Sequence, residues 1–300
     1  MPIAVLEALQ TDWPQAKISI RNYGRKDPRS DIIQAIDQIP ISVAHTVDYT
    51  VYSHYDNRSE WPSIARLIQG NPSLRKLRLI ARTPYGRMED KFVPDGDMRS
   101  VATLPIKPGT KLPSLEELSI IEPDADDPWH HKHSLRFSKC MDWTFMRKLD
   151  FGSEYPTQLF STLAGQVPSL TSLRFGLPVG ADTPVALRFG LPVGSDIPVA
   201  AISFMEATTL IELDIGNAHG QMDTLWPAIC RHKDSLETLI LRPCQPESGY
   251  TLVPRTFLDI KYLELIAKEF PSLTRFGWSL PFESKNFGGS NHIVGRYAMF

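Results

Sequence analysis

One short phrase recurs along the chain and restricts what it can fold into. Its pattern is apolar-x-x-apolar-x-apolar, and Pro-Ser-Leu introduces it in four of seven copies. The central apolar residues of the seven copies are Leu77, Leu118, Leu149, Leu173, Leu213, Leu239 and Phe276. Two weaker copies precede these, at 17–20 and 46–51. One copy alone would carry little weight, but seven matches to a pattern with three apolar anchors indicate a repeated structural unit.

The segments ahead of these phrases have the apolar spacing of helices. The predicted helices are 30–39, 61–69, 157–166, 223–232 and 259–270. In the last of these, Ile260, Leu263 and Ile266 lie on one face. Proline follows several of the segments and cannot continue a helix, so each repeat reads as a helix, a stop and a short strand. Short strands that alternate with helices pair in parallel.

The phrase has the form of the strand half of a leucine-rich repeat. We therefore predict an α/β leucine-rich-repeat solenoid of about seven to nine irregular repeats. Its curved parallel sheet would form the concave face, with helices and loops on the convex face. Residues 1–282 would form a single domain, and residues 283–300 a C-terminal tail. Because the steps between anchors are uneven, insertions are expected at about 82–112, 122–140, 176–200 and 243–255.

A tandem duplication accounts for one of the long steps. Residues 173–186 and 187–200 are nearly identical, differing only at Ala181/Ser195 and Thr183/Ile197. No helix fits between the copies, and a parallel crossover needs a dozen or more residues, so both copies cannot supply neighbouring strands. We expect one copy to form a strand and the other to lie in a surface loop, where an insertion costs little.

Composition excludes several classes of function. The net charge of −2 provides no positive excess for a nucleic-acid surface or a polybasic membrane anchor. The stretch 155–173 lacks an uninterrupted apolar run that could span a bilayer, and the N-terminus lacks a basic start typical of a secretory signal. Three scattered cysteines do not form a disulfide framework. We expect a cytoplasmic or nuclear protein that binds neither nucleic acid nor membrane.

The strand residues next to the central anchors form the candidate binding surface. Side chains alternate between the two faces of a strand, so these residues point away from the core while the anchors point into it. On neighbouring strands about 4.8 Å apart they would form columns of touching side chains. The charges mostly alternate in sign, which fits cross-strand ion pairs as well as a protein-binding face. The candidate partner-binding residues are Lys76, Arg78, Glu117, Lys148, Asp150, Arg174, Glu212, Asp214, Arg242 and Arg275.

The sequence gives only weak indications of metal binding or catalysis at other positions. His130, His131 and His133 could ligate zinc, but no second cluster of ligands accompanies them, and a solvated loop is the simpler interpretation. Cys230 and His232 would be two residues apart on a helix and so would not face each other; Cys230 reads as a core residue. We predict no catalytic residues, no metal site and no cofactor.

The Pro-Ser-Leu-x-x-Leu strands resemble the leucine-rich-repeat region of fungal F-box proteins. Further phrases carry the resemblance: 9–18, 141–152, 160–170 and 225–232. It covers about residues 5–282 and implies a substrate-recognition module held on a cullin-type ubiquitin ligase by a Skp1-like adaptor. The F-box itself, a helical segment of ~45 residues ahead of the repeats, is not evident, because the repeats begin by about Ile18. A Skp1-like partner is therefore expected only if an F-box lies upstream.

Three hypotheses follow from the sequence. The first is a non-enzymatic interaction module, the F-box-like substrate receptor of a ubiquitin ligase or a remnant of one, binding an unknown protein on its concave face. The second is a free-standing leucine-rich-repeat adaptor without a ligase. The third is a metal-dependent or thiol enzyme that uses the His130 loop or Cys230.

Overall fold

A computed structural model describes part of the chain in two compact units, Met1–Ser169 and Leu170–Phe300. The described residues are 11–12, 17–22, 44–52, 61–82, 109–121, 131–152, 155–177, 197–218, 221–242, 258–279 and 297–299. Each unit is described by itself.

The first unit contains a sheet of parallel strands. Its strands are β1 (Ile18–Asn22), β2 (Ala44–Tyr52), β3 (Lys76–Arg82), β4 (Glu117–Ile121) and β5 (Lys148–Asp150). They lie side by side in chain order, each parallel to the next. The two weaker copies of the phrase, 17–20 and 46–51, thus correspond to strands β1 and β2.

The described helices of the first unit are α1 (Trp61–Gln69), α2 (His131–Ser138) and α3 (Thr157–Leu163). Helix α1 has the predicted bounds and buries Ile64, Leu67 and Ile68. Helix α3 begins as predicted but ends three residues early. Gly165, at φ 76°, takes the left-handed conformation in which glycine commonly ends a helix.

The second unit repeats this arrangement. Strands β6 (Ser172–Gly176), β7 (Glu212–Gly216), β8 (Thr238–Leu241) and β9 (Arg275–Ser279) are parallel and adjacent in chain order. Strand β10 (Tyr297–Met299) pairs antiparallel with β9. This strand, within the predicted C-terminal tail, was not expected from the sequence.

The described helices of the second unit are α4 (Ile197–Glu206), α5 (Met222–Cys230) and α6 (Ile260–Glu269). The last two lie close to their predicted bounds. The side chain of Asp259 accepts a hydrogen bond from the backbone N–H of Lys261 (3.1 Å), the N-cap interaction that begins α6. The predicted helix 30–39 lies outside the described residues.

The duplication is divided between a strand and a helix. Residues 173–176 of the first copy form most of β6, which pairs directly with β7, so the second copy does not supply a strand between them. The end of the second copy, 197–200, is helical, which corrects the expectation that the whole copy lies in a loop. Its last residue joins Ala201, Phe204 and Met205 in an apolar stripe that the structure buries. Residues 187–196 lie outside the described part.

The register confirms the predicted anchors. Leu77 lies opposite Leu118, and Leu118 opposite Leu149; in the second unit the series is Leu173, Leu213, Leu239 and Phe276. The six leucines are at most 2% exposed. Phe276 is only half-buried and stacks on Trp278, with ring centroids 4.9 Å apart. The chain therefore has an α/β fold with parallel strands in each unit, compatible with a solenoid.

Helices cover the anchor side of the strands. Phe151, which follows β5 and alternates with Leu149, contacts Phe160 of α3 edge to face, with centroids 5.8 Å apart. Both rings are fully buried. Because strand residues alternate in direction, the side chains on either side of each anchor must point away from the helices. We call these side chains, which flank the anchors along each strand, the outward face of each unit.

A recurring hydrogen bond begins the strands. The N–H groups of Glu116 and Glu117 both donate to the carbonyl of Arg75, and those of Arg147 and Lys148 to the carbonyl of Glu116. The second unit has the same bonds at the starts of β7, β8 and β9. Each of these carbonyls accepts two hydrogen bonds. The bonds satisfy the backbone N–H groups at the start of the next strand and fix its register.

One local prediction needs correction. Residues 131–138 are helical, although the sequence around His130 predicted a loop. Helix α2 forms because Phe137 packs against Trp143, whose indole N–H donates to the carbonyl of Ser138 (2.9 Å). Asn71, which follows the end of α1, is fully buried, and its side chain donates to the carbonyl of Ala44 (2.6 Å). None of the helices in the described ranges has the length and apolarity to cross a bilayer.

Candidate partner-binding surface

The outward face of the first unit consists of two columns of side chains in register. The first column contains Ser19, Thr46, Lys76, Glu117 and Lys148. The second contains Arg21, Asp48, Arg78, Ser119 and Asp150. The predicted candidates of this unit are thus adjacent across the strands, as expected. Asp48 and Thr46 join them from the strand that the sequence marked only as a weaker copy.

Ion pairs connect neighbouring strands in both columns. The ammonium of Lys76 binds the carboxylate of Glu117, and Arg78 Nη1 lies 3.5 Å from Asp48 Oδ2. The side chain of Arg78 is 45% exposed and that of Asp48 is 14% exposed. Exposed pairs of this kind contribute at most about 1 kcal/mol each to stability, so their main effect is to order the side chains on the surface.

The second column ends in a polar turn. Asp150 accepts a hydrogen bond from the backbone N–H of Gly152 (2.9 Å), and Gly152 has φ 62°. Between Arg78 and Asp150 lies Ser119, whose buried Oγ has no hydrogen-bond partner among the described residues. Lys148 is exposed beside Glu117. Arg21 of β1, aligned with Asp48, is also exposed, so the described side chains of this face include four cations and three carboxylates.

The outward face of the second unit has the same construction. One column contains Ser172, Glu212, Thr238 and Arg275, and the next contains Arg174, Asp214, Ile240 and Gly277. Ser172 Oγ donates to Glu212 Oε2 (2.8 Å). Arg275 is exposed. The candidates predicted in this unit are thus brought together on one face.

Two arginines converge on Asp214. Arg242, directly after β8, donates from Nε to Oδ1 (2.8 Å) and from Nη2 to Oδ2 (2.6 Å). Arg174 on the other side places Nε 3.5 Å from Oδ2. The carboxylate is 14% exposed, whereas the arginine side chains are 30% (Arg242) and 36% (Arg174) exposed. We call these three residues the Asp214 cluster.

Arg242 lies just beyond the end of strand β8 and so outside the aligned columns. It continues the outward alternation of Thr238 and Ile240 one residue beyond the strand. The planar guanidinium matches the two oxygens of a carboxylate, so it reaches back to the neighbouring strand in a bidentate pair. The sequence placed Arg242 among the candidates but gave no partner for it.

The thiol of Cys230 is half-buried beside the carboxylate of Glu269. Burial, together with the charge of Glu269, raises its pKa to about 11, and its Sγ lies 3.8 Å from Glu269 Oε2. The thiolate, which is the reactive form, is therefore scarce near neutral pH. Cys140 is buried, and desolvation raises its pKa to about 12.

His232 is buried and its ring accepts a hydrogen bond from the backbone. Its ring is 3% exposed, and Nδ1 accepts a hydrogen bond from the backbone N–H of Leu210 (3.3 Å). Burial is the main cause that lowers its pKa. A neutral ring with Nδ1 as acceptor fits this position.

The zinc hypothesis depends on three histidine side chains. His130 and the side chains of His131 and His133 lie outside the described part of the chain. Within the described ranges no three His, Cys, Asp or Glu side chains cluster as metal ligands.

No family model, curated protein or solved structure matches the chain. Its function is therefore argued from its own residues.

Proposed function

We propose that this chain is a non-enzymatic protein-interaction module of the leucine-rich-repeat type. It would bind a protein partner through the outward faces of its parallel strands. The observation that carries the proposal is the register of the strands. It aligns polar side chains such as Lys76, Glu117 and Lys148 in unbroken columns on one side, while every intervening leucine is buried.

Three features support a surface used for binding. The columns contain long, half-exposed charged side chains, which can exchange an intramolecular partner for an external one at little cost. The shared hydrogen bonds at the strand starts hold the backbone beneath them rigid. In repeat proteins, stacking of equivalent strands produces a broad face on which many side chains contact one partner.

We further propose that the chain acts as the substrate-recognition part of a ubiquitin ligase, or derives from one. This rests on the resemblance of its strand phrases to those of fungal F-box proteins. The test is binding of the full natural gene product to a purified Skp1-like adaptor. Binding supports the ligase role; its absence would leave a free-standing adaptor whose outward faces still bind a partner.

A site-specific cross-linking experiment tests the binding surface. A photoreactive amino acid is placed at Lys148 or Arg275 on the outward faces, or at Gln158 or Lys268, which are exposed on helices α3 and α6. In extracts of the native host, the outward positions should give a shared adduct that the helix positions lack. Adducts formed only from the helix positions would show that the partner binds elsewhere.

A further inference from the structure

The tandem duplication gives strand β6 a second sequence that fits its position. Residues 173–176 of the first copy form most of β6, and residues 197–200 at the end of the second copy begin α4. The strand segment 173–177 recurs unchanged at 187–191, in the order Leu-Arg-Phe-Gly-Leu. Two identical segments of one chain therefore compete for a single place in the sheet.

The contacts that hold β6 in the second unit involve residues that both copies supply. Leu173, Phe175 and Leu177 are at most 1% exposed. Nε of Arg174 lies 3.5 Å from the carboxylate of Asp214, and the backbone N–H of Leu177 donates to the last residue of β7 (2.9 Å). The counterparts of these β6 residues in the second copy are Leu187, Arg188, Phe189 and Leu191.

The chain is long enough on both sides for either copy to reach this position. With the first copy in the sheet, residues 177–196 join β6 to α4. With the second copy in the sheet at 186–190, residues 191–196 would do so, much as residues 217–221 join β7 to α5. The surplus length would then lie before the strand, in the connection from α3. Because a longer connection costs little entropy, the surplus can lie on either side of β6.

The residues just before the strand distinguish the two copies. Leu170 is fully buried, and Ser172 Oγ donates to Glu212 Oε2 (2.8 Å). Their counterparts ahead of the second copy are Pro184 and Ala186. Proline would bury less apolar surface than leucine, and alanine has no hydroxyl to donate. These two losses account for the presence of the first copy in the sheet.

We propose that either copy can form β6 and that the protein exchanges them in a two-state equilibrium. In the minor state, residues 186–190 pair with β7, and Arg188 replaces Arg174 beside Asp214. Minor states that differ by a few contacts are typically populated at about 0.1–10%. The exchange keeps Leu-Arg-Phe-Gly-Leu in the sheet but extends the connection between α3 and β6 from residues 164–171 to 164–185. It is independent of the proposed function.

A buried charge tests whether the second copy can replace the first. Phe175→Asp places a carboxylate in the core, which a chain with a single suitable segment cannot accommodate. With the second copy available, this variant should keep a cooperative urea transition at a lowered midpoint, and Phe189→Asp alone should resemble the wild type. The variant with both substitutions should lose the protection of β7 and β8 from hydrogen exchange, measured by mass spectrometry.

Two further variants complete this comparison. Ile215 is fully buried and aligned with Phe175 on β7, but its segment is not duplicated. Ile215→Asp is therefore the matched control and should behave like the variant with both phenylalanines replaced. Pro184→Leu with Ala186→Ser gives the second copy the residues that precede the first. This pair should raise the urea midpoint of Phe175→Asp and leave Ile215→Asp unchanged.

Disulfide trapping identifies which copy occupies the strand. Glu212 is aligned with Ser172 in the structure and would be aligned with Ala186 after the exchange. Under mild oxidation, a cysteine pair at 172/212 should form its disulfide faster than a pair at 186/212 in the wild-type background. In the Phe175→Asp background the order should reverse. Peptide mapping by mass spectrometry identifies each bond.

Four results would overturn the inference. The first is a Phe175→Asp variant that stays unfolded even with Pro184→Leu and Ala186→Ser. The second is an equal urea midpoint for Phe175→Asp with and without Phe189→Asp. The third is a 186/212 disulfide that forms no faster in Phe175→Asp than in the wild type. The fourth is a 186/212 disulfide that joins two molecules, since the second copy would then enter the sheet of another chain.

Discussion

Asp214 and Arg242 form a bidentate pair across neighbouring strands, with N–O distances of 2.8 and 2.6 Å. This pair, with Arg174 on the opposite side, concentrates charge at one place on the second unit. In the first unit Asp48 is likewise aligned with an arginine on each side, Arg21 and Arg78, but Arg78 approaches it at 3.5 Å, without the short bidentate geometry of Arg242. The two sites therefore differ in the geometry of the arginine contact.

Replacing Asp214 by asparagine should destabilise the protein by about 1–3 kcal/mol, because it removes charge-assisted hydrogen bonds and leaves two guanidiniums facing each other. Asp48→Asn is the matched control and should cost less than about 1 kcal/mol. Urea unfolding followed by circular dichroism gives both values. Equal losses would mean that the short bidentate contact of Arg242 adds nothing to the stability at Asp214.

Neighbouring residues on β5 test the alternation of faces. Leu149 is fully buried and Lys148 is exposed. Leu149→Ala should lower the free energy of unfolding by about 2–5 kcal/mol through loss of apolar burial and formation of a cavity. Lys148→Ala should change it by less than about 0.5 kcal/mol. Comparable effects of the two substitutions in urea unfolding would contradict the assignment of the buried face.

Asn71 connects the end of α1 to strand β2. Its side chain donates to the carbonyl of Ala44 and accepts from the N–H of Ser73, at 2.6 and 3.2 Å. Asn71→Ala should cost about 1–3 kcal/mol, because the buried carbonyl of Ala44 and the part-buried N–H of Ser73 lose their partner. Gln69→Ala, on the exposed side of the same helix, is the control and should be nearly neutral. A neutral result for Asn71→Ala would show that these bonds are replaced.

Acid should destabilise the second unit through His232. Burial lowers the pKa of this imidazole in the folded protein, so the unfolded chain binds the proton first. The contribution of the neutral ring to stability is therefore full above the unfolded pKa of about 6.5 and is lost as the pH falls toward the folded pKa. Protonation would also place a hydrogen on Nδ1, which accepts from Leu210.

The measurement is the urea midpoint of the wild type and of His232→Gln at several pH values from 7.5 to 5. The variant should lose less stability on acidification than the wild type. Some pH dependence should remain in the variant, since burial also lowers the pKa of His45 in the first unit. Parallel curves for the two proteins would remove His232 from the explanation.

The strands could be predicted from the sequence because each central leucine must be buried, and its own short segment shows this without knowledge of distant contacts. Leu118 and Leu213 had to be buried, and their neighbours on the strand then had to face outward. The same alternation predicts Lys76 beside Glu117 and Arg174 beside Asp214, as the register shows. Apolar spacing also placed four of the helices within a few residues.

Other features depend on contacts that one segment cannot reveal. Helix α2 was missed because its apolar contact, Phe137 with Trp143, lies beyond the end of the helix itself. Helix α4 includes only the last four residues of the second copy and continues over 201–206, beyond the duplication, so the duplicated sequence alone did not reveal it. The pairing of Arg242 with Asp214 depends on the reach of a long side chain between strands, and strand β10 on a tertiary pairing.

Every proposal assumes that equivalent strand residues lie side by side in parallel, and engineered disulfides test this most directly. Lys76 and Glu117 are aligned on β3 and β4, as are Glu212 and Thr238 on β7 and β8. Neighbouring strands about 4.8 Å apart are within disulfide range, whereas an offset of two residues is not. Cysteine pairs at 76/117 and 212/238 should form intramolecular disulfides under mild oxidation, detected by mass spectrometry, and the offset pairs 76/119 and 212/240 should not. Preferential bonding of the offset pairs, or none at the aligned pairs, would contradict the parallel register and the binding surface built on it.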